Sequence, residues 1–152
     1  MKIAVIYDSK TGNTEKMAKA IAEGAKTVAE VEVKKIGEAF PLTMLAEVDG
    51  VMFGSPVYYA DISNDMKDFL AHIESYVKAN KKKINGIPAA IFGSYGYDGA
   101  WLMEEKLKDD VEGLGYKTYD KVLVMIDSDI KYHFEDEAAK CREFGKKFAE
   151  SI

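Results

Sequence analysis

Residues 2–18 read KIAVIYDSKTGNTEKMA. The run Ile3–Tyr7 is apolar and rich in β-branched side chains, so it reads as a strand. Behind the turn that follows, Met17, Ile21, Gly24 and Val28 fall on one stripe of a helix. Between them lies a short polar loop with Ser9, Thr11, Asn13 and Thr14 around a single glycine, Gly12. A strand that runs through a tight loop into a helix opens a βαβ unit.

The rest of the chain repeats that alternation. Apolar runs at Val31–Ile36, Gly50–Phe53, Ala89–Phe92 and Lys117–Ile126 read as four more strands. Met66, Phe69, Leu70, Ile73 and Val77 make a second helical stripe. Met103, Leu107, Val111 and Leu114 make a third, and Ala138, Cys141, Phe144, Gly145 and Phe148 a fourth. Pro41–Val48 has room for one short helix, and Lys78–Lys83 reads as a solvated helix end. Runs such as IAVIY and VMF do not alternate with polar residues, so both sheet faces are expected to be buried. The expected fold is α/β: a doubly wound, five-stranded parallel sheet with helices on both faces. The 152 residues suit one domain over 1–152.

Composition narrows the function classes. The net charge of −5 argues against a nucleic-acid partner. All of it falls in the last third, where Asp98–Ile152 carries 14 acids and 9 bases, an acidic face suited to steering a basic protein partner. Cys141 is the only cysteine, which excludes an internal disulfide and speaks against a thiolate metal site. No apolar run approaches the ~20 residues of a membrane span, and MKIAVIYDSK lacks the pattern of a signal peptide. The cytoplasm is the expected compartment, and no metal site is expected.

In open α/β sheets ligands bind beyond the carboxyl ends of the strands. The segments there are S9-KTGNT-14, G54-SPVYYADIS-63, G93-SYGYDG-99 and D127-SDIKYHF-134, all read as loops. The first leads into a helix N-terminus, whose unpaired N–H groups favour an anion. Asn13 or Thr14 as a helix N-cap accounts for one polar residue of the loop but not for four. It has neither the G-K-[ST] ending of a Walker loop nor a dinucleotide fingerprint, so it suits a terminal phosphate held by amides and hydroxyls. Tyr58 and Tyr59 in the second segment, with Tyr95 and Tyr97 in the third, suit a flat ring held between two aromatic loops. A phosphate at one end and a planar ring at the other describe flavin mononucleotide, FMN.

On MKIAVIYDSKTGNTEKMA, AIFGSYGYDGAW and CREFGKKFAE, the sequence resembles the short-chain flavodoxins, the clostridial type in particular, over nearly its whole length. The resemblance implies a flavodoxin-like sheet of order 2-1-3-4-5 with FMN at the switch point, a topology for which flavodoxin is itself a standard example. It implies that Ser9, Lys10, Thr11, Gly12, Asn13 and Thr14 surround the phosphate, with Lys10 in place of a common glycine. Ser55 is expected near the phosphate or ribityl chain, and Pro56, Val57, Tyr58 and Tyr59 beside the ring. Ser94, Tyr95 and Gly96 are expected at the ring's polar edge, with Tyr97 stacked on its outer face.

One departure stands out. Relatives of this type carry a glycine in the second loop, and its peptide flips on one-electron reduction so that a carbonyl meets the new proton on flavin N5. No glycine occurs from Ser55 to Asp61. A tyrosine forced to positive φ costs roughly 1–2 kcal/mol. That weakens the half-reduced state by on the order of 40–90 mV. Asp61, Asp98, Asp127 and Asp129 are expected to add a negative field that disfavours the second electron.

Other candidates are weaker. Asp8 at the first strand end suits a phosphoacceptor domain of the same topology, but Gly54-Ser55 stands where the acceptor aspartate belongs. Ser94 lies in G-S-Y-G, not in a nucleophile elbow. His72 and His133 are isolated, and Cys141 reads as a buried thiol. Asp98 reads equally as a helix N-cap, and Trp101 as packing for its own helix. The implied function is an electron-transfer protein with no catalytic residues of its own. It is expected to be a monomer docking transiently with redox proteins at the flavin edge, without nucleic acid or membrane. The alternative is an FMN-dependent NAD(P)H:quinone or nitro-compound reductase, favoured by the glycine-free loop. A third reading, still electron transfer, is a free-standing relative of the flavodoxin-like domain fused to diiron oxygen reductases.

Overall fold

The computed structural model describes residues 1–58, 61–96 and 100–152, with the side chains of 100–103 left aside. The elements in order are β1 (Lys2–Tyr7), α1 (Asn13–Ala25), β2 (Glu30–Lys35), α2 (Met44–Glu47), β3 (Gly50–Tyr58) and β4 (Asp61–Ile62). Then come α3 (Asn64–Ala79), α4 (Lys81–Ile84), β5 (Pro88–Tyr95), α5 (Ala100–Gly113), β6 (Lys117–Ile126) and α6 (Asp127–Ser151). The main strands lie in the order β2-β1-β3-β5-β6 and pair in parallel. This is the expected doubly wound order, with β4 added as a two-residue strand antiparallel to β3.

Period-2 geometry divides the apolar strand residues between two cores. Ala4, Ile6, Val51, Phe53 and Ile91 face α3 and α5 through Met66, Ile73, Leu107 and Val111. Ile3, Val5, Tyr7, Met52 and Phe92 face α1 and α6 through Met17, Ile21, Phe144 and Phe148. Unbroken apolar runs are what a sheet covered on both sides requires.

Four expectations need correction. Val28 does not extend the first helical stripe: α1 ends at Ala25 and Val28 is 38% exposed. There the Thr27 hydroxyl donates to Gly24 O at 2.7 Å and Val28 N bonds Ala25 O, which tightens the last turn. Residues 54–58 and 93–95 are not loops but continue β3 and β5, paired as Ser55–Gly93 and Pro56–Ser94. Gly54 is there because a β-carbon would overlap the Phe92 ring, so it marks close packing rather than a turn. The segment after β6 is likewise not a loop. Asp127 begins α6, and Asp127 and Asp129 sit in its first turn, where carboxylates suit the helix dipole. His133 (φ −133°, ψ 28°) breaks α6 as a kink rather than standing in a loop.

Candidate functional site

The switch point lies where β1 hands the chain to α1 and β3 to β4, with the end of β5 alongside. Gly12 is the residue ahead of α1, with φ 91° and ψ −5°, and no side chain caps the helix at that position. A side chain at Gly12 would meet open space, so its backbone conformation, not crowding, demands glycine. The cap comes from outside: Ser9 Oγ accepts from Gly12 N at 3.1 Å and Glu15 N at 3.3 Å. Helix geometry leaves the amides of Asn13 and Thr14 without an intrahelical acceptor. Ser9 is buried and Thr11 exposed, with Asn13 between these extremes.

Thr14 and Ser94 are both buried and share a hydrogen bond of 2.7 Å across 80 residues of sequence. That bond ties the first loop to the end of β5, so residues expected at opposite ends of a ligand stand side by side. Tyr95 is half-buried and Gly96 exposed. A β-carbon on Gly96 would lie 3.4 Å from Asp127 Oδ2, which sets the Asp127 carboxylate against this edge.

Ser55 has its hydrogen-bond partners within the chain. Its hydroxyl donates to Pro56 O at 2.8 Å and accepts from Ser63 N at 3.0 Å. Ser63 in turn caps α3 by accepting from Met66 N at 3.1 Å. Ser55 therefore joins β3 to the start of α3. Pro56 is buried, Val57 half-buried, and Tyr58, at the end of β3, is 40% exposed. Burial raises the Tyr58 phenol pKa, as do the negative charges of Asp8 and Asp127, while Lys10 opposes them. Tyr58 thus lies within the fields of both the first loop and the start of α6. Tyr59, Tyr97 and Asp98 lie outside the described residues, as does Ala60.

Lys10 is the one charged side chain of the S-K-T-G-N-T loop. Its ammonium bonds the Asp65 carboxylate of α3 and stands 3.9 Å from Asp8 Oδ1. Asp8 and Asp65 were not foreseen at the site. A polar residue ending a buried apolar strand is the signal for Asp8; nothing local marks Asp65. Asp61 does not supply the negative field expected of it. Burial pushes its carboxyl up, but Lys67 at 2.5 Å, Lys106 at 3.1 Å and the Ile62 N–H outweigh this and hold it below the usual range. The trio carries one more positive charge than negative.

Tyr7 fixes the entry to the loop by donating to Glu15 Oε1 at 3.0 Å. Burial and that bond push the Tyr7 phenol up to about 12, and the bond holds the Glu15 carboxyl down. Glu15, depressed in the folded chain, stabilises above its unfolded pKa, and that contribution is lost as pH falls through the folded value. Tyr7, raised, stabilises below its unfolded value near 10, and that contribution is lost as pH rises toward 12. Tyr7→Phe therefore costs about 1 kcal/mol between pH 5 and 9. In urea titrations across pH, the gap from wild type closes below about pH 4 and above about pH 10.

The flavodoxin family model matches residues 5–141. The chain belongs to the flavodoxin family. It is 46% identical to the flavodoxin of Clostridium saccharobutylicum over 71 residues, which are 46% of this chain and 44% of that protein. It is 30% identical to the flavodoxin of Clostridium beijerinckii over 151 residues, 95% of this chain and 97% of that one. The chain spans less than half the length of two relatives it matches, 44% and 36%. The structure of a flavodoxin from the domain Archaea superposes with a TM-score of 0.79 at 28% identity, covering 99% of this chain and 98% of that one. Flavodoxins bind FMN. No helix among the described residues is long and apolar enough to cross a membrane.

The donor set fits that cofactor. A phosphate needs hydrogen-bond donors, and the start of α1 offers amides and hydroxyls around a glycine with open space above it. The Asp8 carboxylate, which would repel a phosphate, is offset in part by Lys10, an ammonium it shares with Asp65. Asp8 Oδ2 remains buried with no partner among the described residues.

Proposed function

We propose that the chain carries electrons one at a time between larger redox proteins, with one FMN bound non-covalently. The observation that carries this reading is the Thr14–Ser94 bond, which sets the α1 N-terminus beside the end of β5 at the switch point. Phosphate recognition falls to Ser9, Thr11, Gly12, Asn13 and Thr14, with Lys10 offsetting part of the charge of Asp8 and Asp65. Tyr95 and Gly96 hold the ring edge, and Ser94, bonded to Thr14, joins that edge to the phosphate loop. Pro56, Val57, Tyr58, Tyr59 and Tyr97 cover its faces, and Ser55 fixes the β3–α3 corner behind them. Bound FMN supplies the electron-transfer chemistry; the chain binds it, orients it and sets its field. The acidic C-terminal third and the flavin edge form a small, transient docking surface for a basic partner, and the protein works as a monomer over 1–152.

The glycine-free stretch Pro56–Ala60 favours a second reading, a reductase of quinones or nitro compounds that takes two electrons from NAD(P)H. Anaerobic stepwise reduction of the FMN-loaded protein separates the two. The carrier reading expects two resolved one-electron steps and no oxidation of NADPH by quinone without a partner protein. Direct turnover overturns it, and failure to bind FMN overturns both. In the same titration, Asp127→Asn raises the second midpoint potential by on the order of 30 mV, since it removes a negative charge beside Gly96. An unchanged potential shows that Asp127 does not act on the ring.

A further inference from the structure

Among the described residues, two buried side-chain oxygens have no hydrogen-bond partner: Asp8 Oδ2 and Tyr116 OH. They are not equivalent. Tyr116 is a neutral phenol in the α3/α5 core, set edge-on against Phe53. Asp8 is a carboxylate with its side chain 3% exposed, and leaving a buried ionisable oxygen unpaired costs far more than leaving a phenol. Among the described residues, the contact given for its other oxygen is the Lys10 ammonium, at 3.9 Å. Such a group is retained when something outside the chain completes it.

Its place identifies the donor. Asp8 N bonds Gly54 O at 3.0 Å, and Ser9, which caps the phosphate loop, follows directly in sequence. The Asp8 charge reaches Tyr58 at the end of β3. The carboxylate therefore stands between the phosphate loop and the aromatic strand end. A phosphate is an acceptor and cannot satisfy it. The ring's own N–H belongs at the Ser94–Gly96 edge. What joins phosphate to ring in FMN is a polyol, and a polyol hydroxyl is a donor.

We propose that Asp8 is a cofactor-binding residue whose unpartnered Oδ2 accepts a hydrogen bond from a hydroxyl of the ribityl chain. Lys10 stands between the Asp8 and Asp65 carboxylates and offsets part of their charge beside a dianion. The assignment rests on the FMN reading above, and its test separates the two.

Two ligands are titrated by quenching of flavin fluorescence: FMN, and a flavin whose phosphate is borne on an unhydroxylated five-carbon chain. Asp8→Ala is expected to weaken FMN binding about 10- to 100-fold, the loss of one hydrogen bond to a charged acceptor. It is expected to change binding of the unhydroxylated analogue by less than about 3-fold. Asp8→Asn keeps the shape and a neutral acceptor, so it folds as the wild type does and falls between the two on FMN. Equal losses on both ligands overturn the assignment, because the effect then does not pass through a hydroxyl. A Tyr58→Phe variant that loses FMN as Asp8→Ala does, and shows no further loss when combined with it, also overturns it, by naming the phenol as the partner. If wild type binds neither flavin, it is the FMN reading that fails.

Discussion

Gly145→Ala lowers the melting temperature by about 5–10 °C, corresponding to about 2–3 kcal/mol for a chain of this size. A β-carbon on Gly145 would overlap Ile21 O and come within 2.9 Å of Ile21 C and 3.2 Å of Ala25 N, all backbone atoms of α1. The contact is reciprocal: a β-carbon on Gly24 of α1 would overlap the Arg142 carbonyl of α6. Backbone cannot move aside as a flexible side chain can, so the helices must separate and loosen Ile21, Phe144 and Phe148 between them. Gly113, in α5, is the control. Nothing lies within 4 Å of its would-be β-carbon, so Gly113→Ala is expected to leave stability unchanged or raise it by about 0.5 kcal/mol. Calorimetry on Gly24→Ala, Gly145→Ala and Gly113→Ala checks the set. If the first two melt with the wild type, the helix approach is not as close as described.

FMN is expected to bind about 100- to 10,000-fold more tightly than riboflavin, since two charge-assisted bonds contribute about 1.5–3 kcal/mol each. Gly12→Ala is expected to reduce that preference about 10-fold. Alanine at φ 91° is strained by about 1–2 kcal/mol, enough to weaken FMN about 10-fold as the loop relaxes away from its anion-binding shape. Riboflavin, with no phosphate to place, is expected to change by less than about 3-fold on the same variant. Parallel titrations of both ligands against both proteins decide it. Equal affinity of the wild type for FMN and riboflavin would show that the α1 N-terminus does not hold the phosphate.

Much of this was legible in the chain. Strands and helices follow from periodicity, and the two-sided burial of IAVIY and VMF pointed to a covered parallel sheet. Reading Gly54, Ser55 and Pro56 as punctuation failed because a glycine forced by a ring 38 positions on, at Phe92, looks the same in sequence as a turn glycine. Reading Asp127–Phe134 as a loop failed for a related reason: acids that suit a helix start resemble the polar residues of a turn.

The order of elements, the two-sided core and the hydroxyl-rich turn at Ser9–Thr14 are legible in the residues alone, because each depends on neighbours close along the chain. Folding brings Thr14 to Ser94 across 80 positions and Lys10 to Asp65 across 55. It also leaves Asp8 buried with one oxygen unmatched. Such pairings are set by how strand ends converge at the switch point, and no local pattern encodes that convergence. The hydroxyls of the loop are read from consecutive residues; its partners in α3 and β5, Asp65 and Ser94, are not.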